Sequence, residues 1–155
     1  MIYPAQAQQT RRAEAQRDGY VSFRVGDQWL GIPVVLVQEV LTHQEISPVP
    51  LAPREVSGFL NLRGQIVTAI DLRTRLGVAG ESEDRYMNIV VWDRGELFSF
   101  LVDEVGDVVE VSSDRLEPTP ATLDAEWRAC CDGVIRLERG LLAVLRVDSI
   151  LHSVR

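Results

Sequence analysis

The side chains that could act as nucleophiles, general bases or metal ligands are few in this sequence of 155 residues. Its two histidines, His43 and His152, stand far apart, and neither has a Cys, Ser or carboxylate partner at a recognisable catalytic spacing. An H-E-x-x-H zinc site and a histidine-rich cluster are therefore excluded. We predict no catalytic residue, no metal ligand and no cofactor-binding residue, and we interpret both histidines as surface residues.

Lysine is absent, so all 16 basic residues are arginine. A P-loop needs a lysine for its phosphates, a Schiff-base enzyme needs an amine, and a protein kinase needs its ATP-pairing lysine. The composition excludes these three classes of enzyme.

Cys130 and Cys131 are adjacent in the chain. Neighbouring Cα atoms lie about 3.8 Å apart, below the usual separation in a disulfide, so a bond between the two would be strained. We expect two reduced thiols buried as small apolar side chains, with a redox switch as the alternative. Reduced thiols, and an N-terminus without the apolar core of a signal peptide, predict a cytoplasmic protein.

The net charge of −7 is concentrated in the second half of the chain. Residues 1–19 sum to +1, residues 20–80 to zero and residues 81–155 to −8. Nucleic acid and anionic lipid both require a basic surface, so neither is an expected partner. No run of 18 apolar residues predicts a membrane span. The acidic half fits a protein partner with a basic patch, although solubility is the simpler interpretation.

Short runs rich in Val, Ile and Leu predict a mainly β fold. Two hairpins are expected, one from residues 20–25 and 28–32 and one from residues 87–92 and 97–102. The polar residues 1–19 predict a flexible tail. Helix is predicted in four short pieces, at residues 54–57, 71–76, 125–130 and 147–153, with Asp71 and Asp148 as N-caps.

The two halves of the chain repeat one pattern in the same order, which indicates an internal duplication. The matching segments are Val37–Val40 with Val105–Val108, Gly58–Leu62 with Gly133–Leu137, and Arg63-Gly64 with Arg139-Gly140. Short strands protect their edges best by closing into a barrel. We therefore predict two small five-stranded β-barrels, residues 20–80 and 81–155, that share one interface and are joined at a seam over residues 79–84.

Over about residues 20–152 the sequence resembles the CheW family of chemotaxis coupling proteins. The likeness rests on Leu30-Gly31-Ile32, Val37-Gln38-Glu39-Val40, Ile46-Ser47-Pro48-Val49-Pro50, Gly58-Phe59-Leu60-Asn61-Leu62-Arg63-Gly64, Asp71-Leu72-Arg73-Thr74-Arg75-Leu76 and Val102-Asp103-Glu104-Val105. The Asn-Leu-Arg-Gly segment with its Asp-Leu-Arg continuation is the most specific part.

This resemblance implies two five-stranded barrels with a groove between them and a few short helices. It implies a non-enzymatic adaptor that joins the histidine kinase CheA, through that kinase's CheW-like regulatory domain, to the cytoplasmic tips of chemoreceptors. The same fold could serve a pilus-motility or developmental pathway. A small-barrel ligand carrier or enzyme is the alternative from a different class.

The resemblance also implies a receptor-binding surface and a structural motif. The receptor-binding residues are expected to be Val37, Glu39, Val40, Arg63, Leu101, Val102 and Val105. The structural motif comprises Gly58, Asn61, Arg63, Gly64 and Asp71. No kinase-facing residue is assigned.

The roles of these residues stay open at the level of sequence. A carboxylate and a planar guanidinium can pair through two parallel hydrogen bonds, so Glu39 and Arg63 serve the structure, the binding surface or both. Each apolar residue belongs either to the groove or to the core. Strand alternation places Val37 and Val40 on one side only if a β-bulge separates them. Gly64 is expected to make a tight turn.

Overall fold

The computed structural model describes residues 17–79 and 86–154, and these residues form eleven strands and three short α-helices. The strands are β1 (Arg17–Val25), β2 (Gln28–Pro33), β3 (Val37–Leu41), β4 (Val56–Leu62), β5 (Gln65–Asp71), β6 (Met87–Asp93), β7 (Glu96–Val102), β8 (Glu104–Ser112), β9 (Leu116–Glu117), β10 (Cys131–Leu137) and β11 (Gly140–Leu145). The helices are α1 (Leu72–Arg75), α2 (Ala125–Cys130) and α3 (Val147–Leu151), and 3-10 turns span Val34–Leu36, Ser113–Arg115 and His152–Val154.

The strands assemble into two sheets that repeat the same order. One sheet runs β3-β6-β7-β5-β4 and the other runs β8-β1-β2-β11-β10-β9. Strand β3 corresponds to β8, the hairpin β6-β7 to the hairpin β1-β2, and the hairpin β4-β5 to the hairpin β10-β11. The mainly β class, the duplication and both predicted hairpins are confirmed.

The two repeats have exchanged their first hairpins. Hairpin β1-β2 precedes β3 in the chain but pairs with β8 and β11, and hairpin β6-β7 precedes β8 but pairs with β3 and β5. The predicted boundary at residue 80 therefore does not separate one sheet from the other, because each sheet contains strands from both sides of it. Because the two repeats are similar in sequence, the sequence does not show which of the two hairpins a given strand pairs with.

The predicted closure into two five-stranded barrels is not seen in the strand pairing of the described residues: in neither sheet is the last strand hydrogen-bonded to the first. One sheet has six strands, because the two-residue β9 is added beside β10. The free edges are joined by the chain itself. The three residues 113–115 link β8 to β9, and the longer connection from β3 to β4 pairs with β4 through the bridge between Ser47 and Phe59. These connections protect edges that would otherwise invite association.

Three apolar cores follow from this arrangement. The largest lies between the two sheets and draws residues from both borrowed hairpins, including Phe23, Leu30, Ile89 and Phe100. A smaller core fills the five-stranded sheet around Leu60 and Val90, and another fills the six-stranded sheet around Ile135 and Leu142. Because the largest core belongs to neither sheet alone, the two units fold against each other.

A glycine at a β-bulge marks the duplication at atomic detail. Gly58 and Gly133 occupy equivalent bulges, with φ of 148° and 158°. A Cβ on Gly58 would lie 2.1 Å from the carbonyl oxygen of Ser47, and a Cβ on Gly133 would lie 2.4 Å from that of Glu117. Only glycine lets the preceding loop approach the strand so closely.

The helices agree with the sequence in part. Asp71 caps α1 as predicted, since its Oδ1 accepts a hydrogen bond from the Arg73 amide at 3.0 Å. Asp148 is not a cap, because α3 begins after Arg146 and Asp148 lies in its first turn. The helix predicted at residues 54–57 is wrong: β4 begins at Val56, where strand pairing with Ile70 overrides the local preference.

Two predictions concern the ends of the described segments. Of the predicted tail, residues 1–16 lie outside the described residues, whereas residues 17–19 form the start of β1. Most of the predicted seam, from residue 80 onward, also lies outside them. No helix in the described part of the chain is long and apolar enough to cross a membrane.

We expect Gly58→Ala to destabilise the fold strongly, because the new methyl group would collide with backbone. Gly95→Ala is the matched control, since Gly95 also has a positive φ (81°) but open space where its Cβ would lie. The control should cost about 1–2 kcal/mol of unfolding free energy, the penalty for a left-handed alanine. Gly58→Ala should cost about 1–3 kcal/mol more from overpacking. Urea unfolding measures both, and equal losses would contradict the collision.

Candidate functional site

An ion pair between Glu39 and Arg63 lies at one end of the five-stranded sheet. Arg63 Nη1 donates to Glu39 Oε1 at 2.6 Å and Nη2 donates to Oε2 at 2.8 Å, which is a two-hydrogen-bond fork. The Arg63 side chain is 70% exposed and that of Glu39 is 20% exposed. The pair is therefore anchored on its acidic side and presents its guanidinium to solvent.

The local sequence fixes where this guanidinium points. Arg63 and Gly64 form the two-residue turn between β4 and β5, with φ of 51° and 84°, as in hairpin turns of type I′. Asn61 Oδ1 accepts the Gly64 amide at 2.9 Å and closes the turn. The sequence-predicted motif residues Asn61, Arg63 and Gly64 thus form one device.

The pair also joins two edges that no strand pairing connects. Glu39 lies on β3 and Arg63 at the tip of the β4-β5 hairpin, and β3 and β4 are opposite edges of their sheet. Glu39 is paired with Val90, so its side chain projects from the face that carries the inner core. The ion pair therefore connects the two edges of this sheet through side chains, at the end where the β4-β5 turn lies.

The electrostatics match this geometry. The hydrogen bonds from Arg63 hold the pKa of the Glu39 carboxyl below its ordinary value of 4.5, although burial opposes the shift. Hydrogen bonding and charge from Glu39 raise the pKa of Arg63 in turn. Both groups are therefore charged at neutral pH.

Val37 and Val40 lie on the same face of β3 because a bulge separates them. Val37 is paired with Val91 and Val40 with Ile89, and the register shifts between Val37 and Glu39. Both partners belong to the core between the sheets. Val37 is half-buried against that core, whereas Val40 is 39% exposed.

Strand β8 repeats this arrangement in the other sheet. Val105 is paired with Phe23 and Val108 with Val21, again around a bulge and again on the side of the core between the sheets. Val105 is half-buried and Val108 is 54% exposed. The repeat therefore brings two edge strands to one common core and leaves a valine of each at its margin.

The 3-10 turn between β2 and β3 extends this margin. Val34 is 38% and Val35 is 86% exposed, and an added Cβ on Gly19 would meet both Val34 and Val108, at 3.1 and 3.8 Å. We call the exposed residues Val34, Val35, Val40 and Val108 the intersheet surface. Only Val40 of these four is among the predicted receptor-binding residues, because exposure in a turn cannot be inferred from strand periodicity.

Leu101 and Val102 are placed differently from Val40. Their side chains are 6% and 2% exposed and belong to two different cores, the inner core of the five-stranded sheet and the core between the sheets. Both line a cavity of about 200 Å³ beside α1. They are not part of the exposed intersheet surface.

A second exposed apolar surface lies on the outside of β4 and β5. Phe59 is 39% and Ile66 is 64% exposed, and both project from the face opposite Leu60 and Val67. Leu51, in the connection to β4, is fully exposed with a positive φ of 65°. We call Phe59 and Ile66 the outer surface. The alternation of apolar and polar residues along β4 is consistent with an exposed Phe59, but Phe59 and Ile66 are not among the predicted binding residues.

The junction between the two sheets is held by Asp103, the residue between β7 and β8. Its carboxylate accepts two hydrogen bonds from Arg73, at 3.0 and 2.7 Å, and one from the Gly26 amide at 2.7 Å. Arg24 approaches it at 3.9 Å. The Asp103 and Arg73 side chains are only 12% and 15% exposed. This network ties α1 and the β1-β2 turn to the crossing point of the chain.

The cysteines are buried, as expected. Burial raises the pKa of Cys130, and it raises that of Cys131 to about 11. Both thiols are therefore protonated at neutral pH, which disfavours the redox alternative. Over the described residues, no group of three His, Cys, Asp or Glu side chains could hold a metal ion.

We expect Arg63→Asn to lower stability at about pH 7 and to matter less at about pH 3. Asparagine favours the same turn, so the substitution removes mainly the ion pair. Because folding lowers the pKa of Glu39, the contribution is present above 4.5 and is lost as pH falls through the lowered value. Urea unfolding at both pH values measures it.

Arg94→Asn is the control for this experiment. Arg94 and Gly95 form the equivalent turn in β6-β7, with φ of 50° and 81°, and both members of the Arg94–Asp148 pair are more than 60% exposed. A pH-dependent loss of the same size in both variants would contradict a specific role for the Glu39–Arg63 pair.

Asp103→Asn should destabilise the protein by about 2 kcal/mol, because it leaves the part-buried Arg73 guanidinium without its charged acceptor. Asp132→Asn is the control, since its pair with Arg146 at 2.8 Å is exposed on both sides and should be worth less than about 1 kcal/mol. Equal losses in urea unfolding would argue against Asp103 as the anchor of the junction.

The comparisons with known proteins agree on one family. The family model described as CheW-like domain matches residues 19–155. The chain is 33% identical to "Chemotaxis protein CheW" of Rhizobium meliloti over 134 residues, covering 86% of each protein. It is 26% identical to "Chemotaxis protein CheW" of Thermotoga maritima, covering 86% of this chain and 87% of that protein.

A solved structure shares the fold as well. The crystal structure of scaffolding protein TtCheW from Thermoanaerobacter tengcongensis superposes with a TM-score of 0.78 at 25% identity, covering 86% of this chain and 87% of that one. The duplicated and exchanged sheets described above are therefore those of a known family, and this chain belongs to the family of CheW-like domain proteins.

Proposed function

We propose that this protein is a non-enzymatic adaptor that couples the chemotaxis histidine kinase CheA to the cytoplasmic tips of chemoreceptors. The observation that carries the proposal is the presence of two separate exposed apolar surfaces on a chain of the CheW-like family. An adaptor must hold two partners at once, and exposed apolar patches are the usual mark of such contacts. The proposed location is the cytoplasm, where receptor tips and reduced thiols are found together.

The intersheet surface suits a helical partner. Its valines come from the edges of two sheets and from the turn between β2 and β3, so they border the space between the sheets instead of forming a flat face. An amphipathic helix buries its apolar stripe in such a setting. Glu39 precedes Val40 on β3, but its side chain and the Arg63 that it binds project from the opposite face of the strand. We assign the receptor hairpin to this surface.

The outer surface suits a sheet-built partner. Phe59 and Ile66 project from two paired strands of a sheet, next to Thr68 and Asn61. A flat face of this kind can pack against another sheet, and the regulatory domain implied for the kinase has the same CheW-like fold. We assign the kinase to this surface.

The proposal is tested by measuring the affinity of two variants for both partners. Val108→Asp should weaken binding of the cognate receptor tip by about tenfold or more and leave binding of the CheA regulatory domain unchanged, because it places a charge in a desolvated contact. Ile66→Asp should do the reverse. Arg63→Asn should weaken receptor binding more than kinase binding.

Leu141→Asp is the matched control. Leu141 is the repeat equivalent of Ile66 in the hairpin β10-β11 and is 41% exposed, but it lies outside both surfaces. It should change neither affinity. Absence of binding to both cognate partners at micromolar concentration would overturn the proposal, and so would equal losses from all three aspartate variants with unchanged circular dichroism.

A further inference from the structure

A cavity of about 200 Å³ lies at the carboxyl ends of the parallel strands β5 and β7. Ile46, Leu101 and Val102 supply apolar wall, and Asp71, Asp103 and Arg73 supply charge. The cavity is separate from the intersheet surface and from the outer surface.

Two hydrogen-bond donors that line the cavity, Arg73 and Tyr86, already bind groups of the protein. Arg73 gives Nε and Nη2 to Asp103 and Nη1 to the carbonyl of Ala79 at 3.4 Å. The Tyr86 hydroxyl, which also lines the cavity, donates to the carbonyl of Gln44 at 3.2 Å. At least three of the five Arg73 N–H groups and the Tyr86 O–H are therefore used within the protein. A phosphate or carboxylate ligand would also meet the carboxylates of Asp71 and Asp103.

The acceptors, in contrast, have unused capacity. Asp71 accepts from the Arg73 amide and from the Thr74 hydroxyl, which uses two of about four lone-pair positions on its carboxylate. The Tyr86 oxygen donates its proton to Gln44 and keeps its own lone pairs. The site thus retains capacity to accept hydrogen bonds from a ligand.

The charges around the cavity also favour a ligand that donates hydrogen bonds, because their sum is negative. Asp103 is paired with Arg73, whereas no cation in residues 17–79 or 86–154 forms an ion pair with Asp71. Within residues 17–79 and 86–154, the cavity therefore carries one carboxylate without a counter-ion. Burial, and then the negative charge of Asp71, raise the pKa of Tyr86.

We propose that this cavity binds a positively charged hydrogen-bond donor on a short aliphatic stem, that is, an alkylammonium or alkylguanidinium group. Asp71 supplies the charge and Tyr86 a second acceptor, and the apolar wall of Ile46, Leu101 and Val102 receives the stem. Such a group can come from a free amine or from a basic side chain of a partner protein. It cannot be a lysine of a second copy, because the chain contains none.

Amide chemical shifts of the full chain, titrated with n-butylammonium and separately with butan-1-ol, test the site. The cation should produce saturable shifts at Leu101, Val102 and Tyr86, and the alcohol should not. Asp71→Asn should weaken binding of the cation by about fivefold, as expected for one part-exposed ion pair. Asparagine caps a helix as well as aspartate does, so α1 should be retained.

Asp148→Asn is the control, because Asp148 lies in the first turn of α3, outside the cavity, and contacts Arg94. It should leave binding of the cation unchanged. Ser57→Leu is a second route, since it fills the cavity while keeping Asp71, and it should abolish the shifts. Equal responses of wild type and Asp71→Asn, or equal responses to cation and alcohol, would overturn the proposal.

The source of the cation is decided by competition. Inhibition of receptor or kinase binding by n-butylammonium would assign the group to a side chain of that partner. Undisturbed partner binding, with the shifts at Leu101 and Val102 retained, would assign it to a free amine. Both outcomes support the site, and neither depends on which partner binds which exposed surface.

Discussion

The exchange of hairpins between the two repeats is the constraint on which the rest of the structure depends. Each sheet is completed by a hairpin from the other half of the sequence, with β1-β2 between β8 and β11 and β6-β7 between β3 and β5. Because the borrowed hairpins also supply much of the core between the sheets, separation of the repeats would break strand pairing and apolar packing together. The junction network around Asp103 stands where the chain passes from one sheet to the other.

The sequence predicted the elements better than their partners. The alternation around Gly26-Asp27 and Arg94-Gly95 identified both hairpins, and the matched glycines at positions 58 and 133 identified the duplication. The exchange stayed hidden because equivalent strands look alike in sequence and pairing across repeats is a tertiary choice. Residues 54–57 read as helix for a related reason: the bridge between Ser47 and Phe59 and the pairing of Val56 with Ile70 are not local.

The candidate site was predictable where its chemistry is local. Asn61, Arg63 and Gly64 lie in one turn, and their spacing alone indicates a tight turn that positions the Arg63 guanidinium. Which apolar residues are exposed depends on the fold. Leu101 and Val102 lie in the cores, whereas Val34 and Val35 are exposed because the turn between β2 and β3 belongs to neither sheet. Val37 and Val40 share a face only because of a bulge that periodicity cannot reveal.

The bulged edge strands have a consequence for how this protein meets its partners. Strands β3 and β8 border the same central core, and each is hydrogen-bonded to a hairpin from the opposite repeat, so a shift of either strand would disturb that pairing and the packing of the common core. The spacing between Val40 and Val108 is therefore built into the fold before any partner arrives. A molecule that binds across both strands therefore meets a preformed surface. Most of the conformational entropy lost on association is then lost by that molecule.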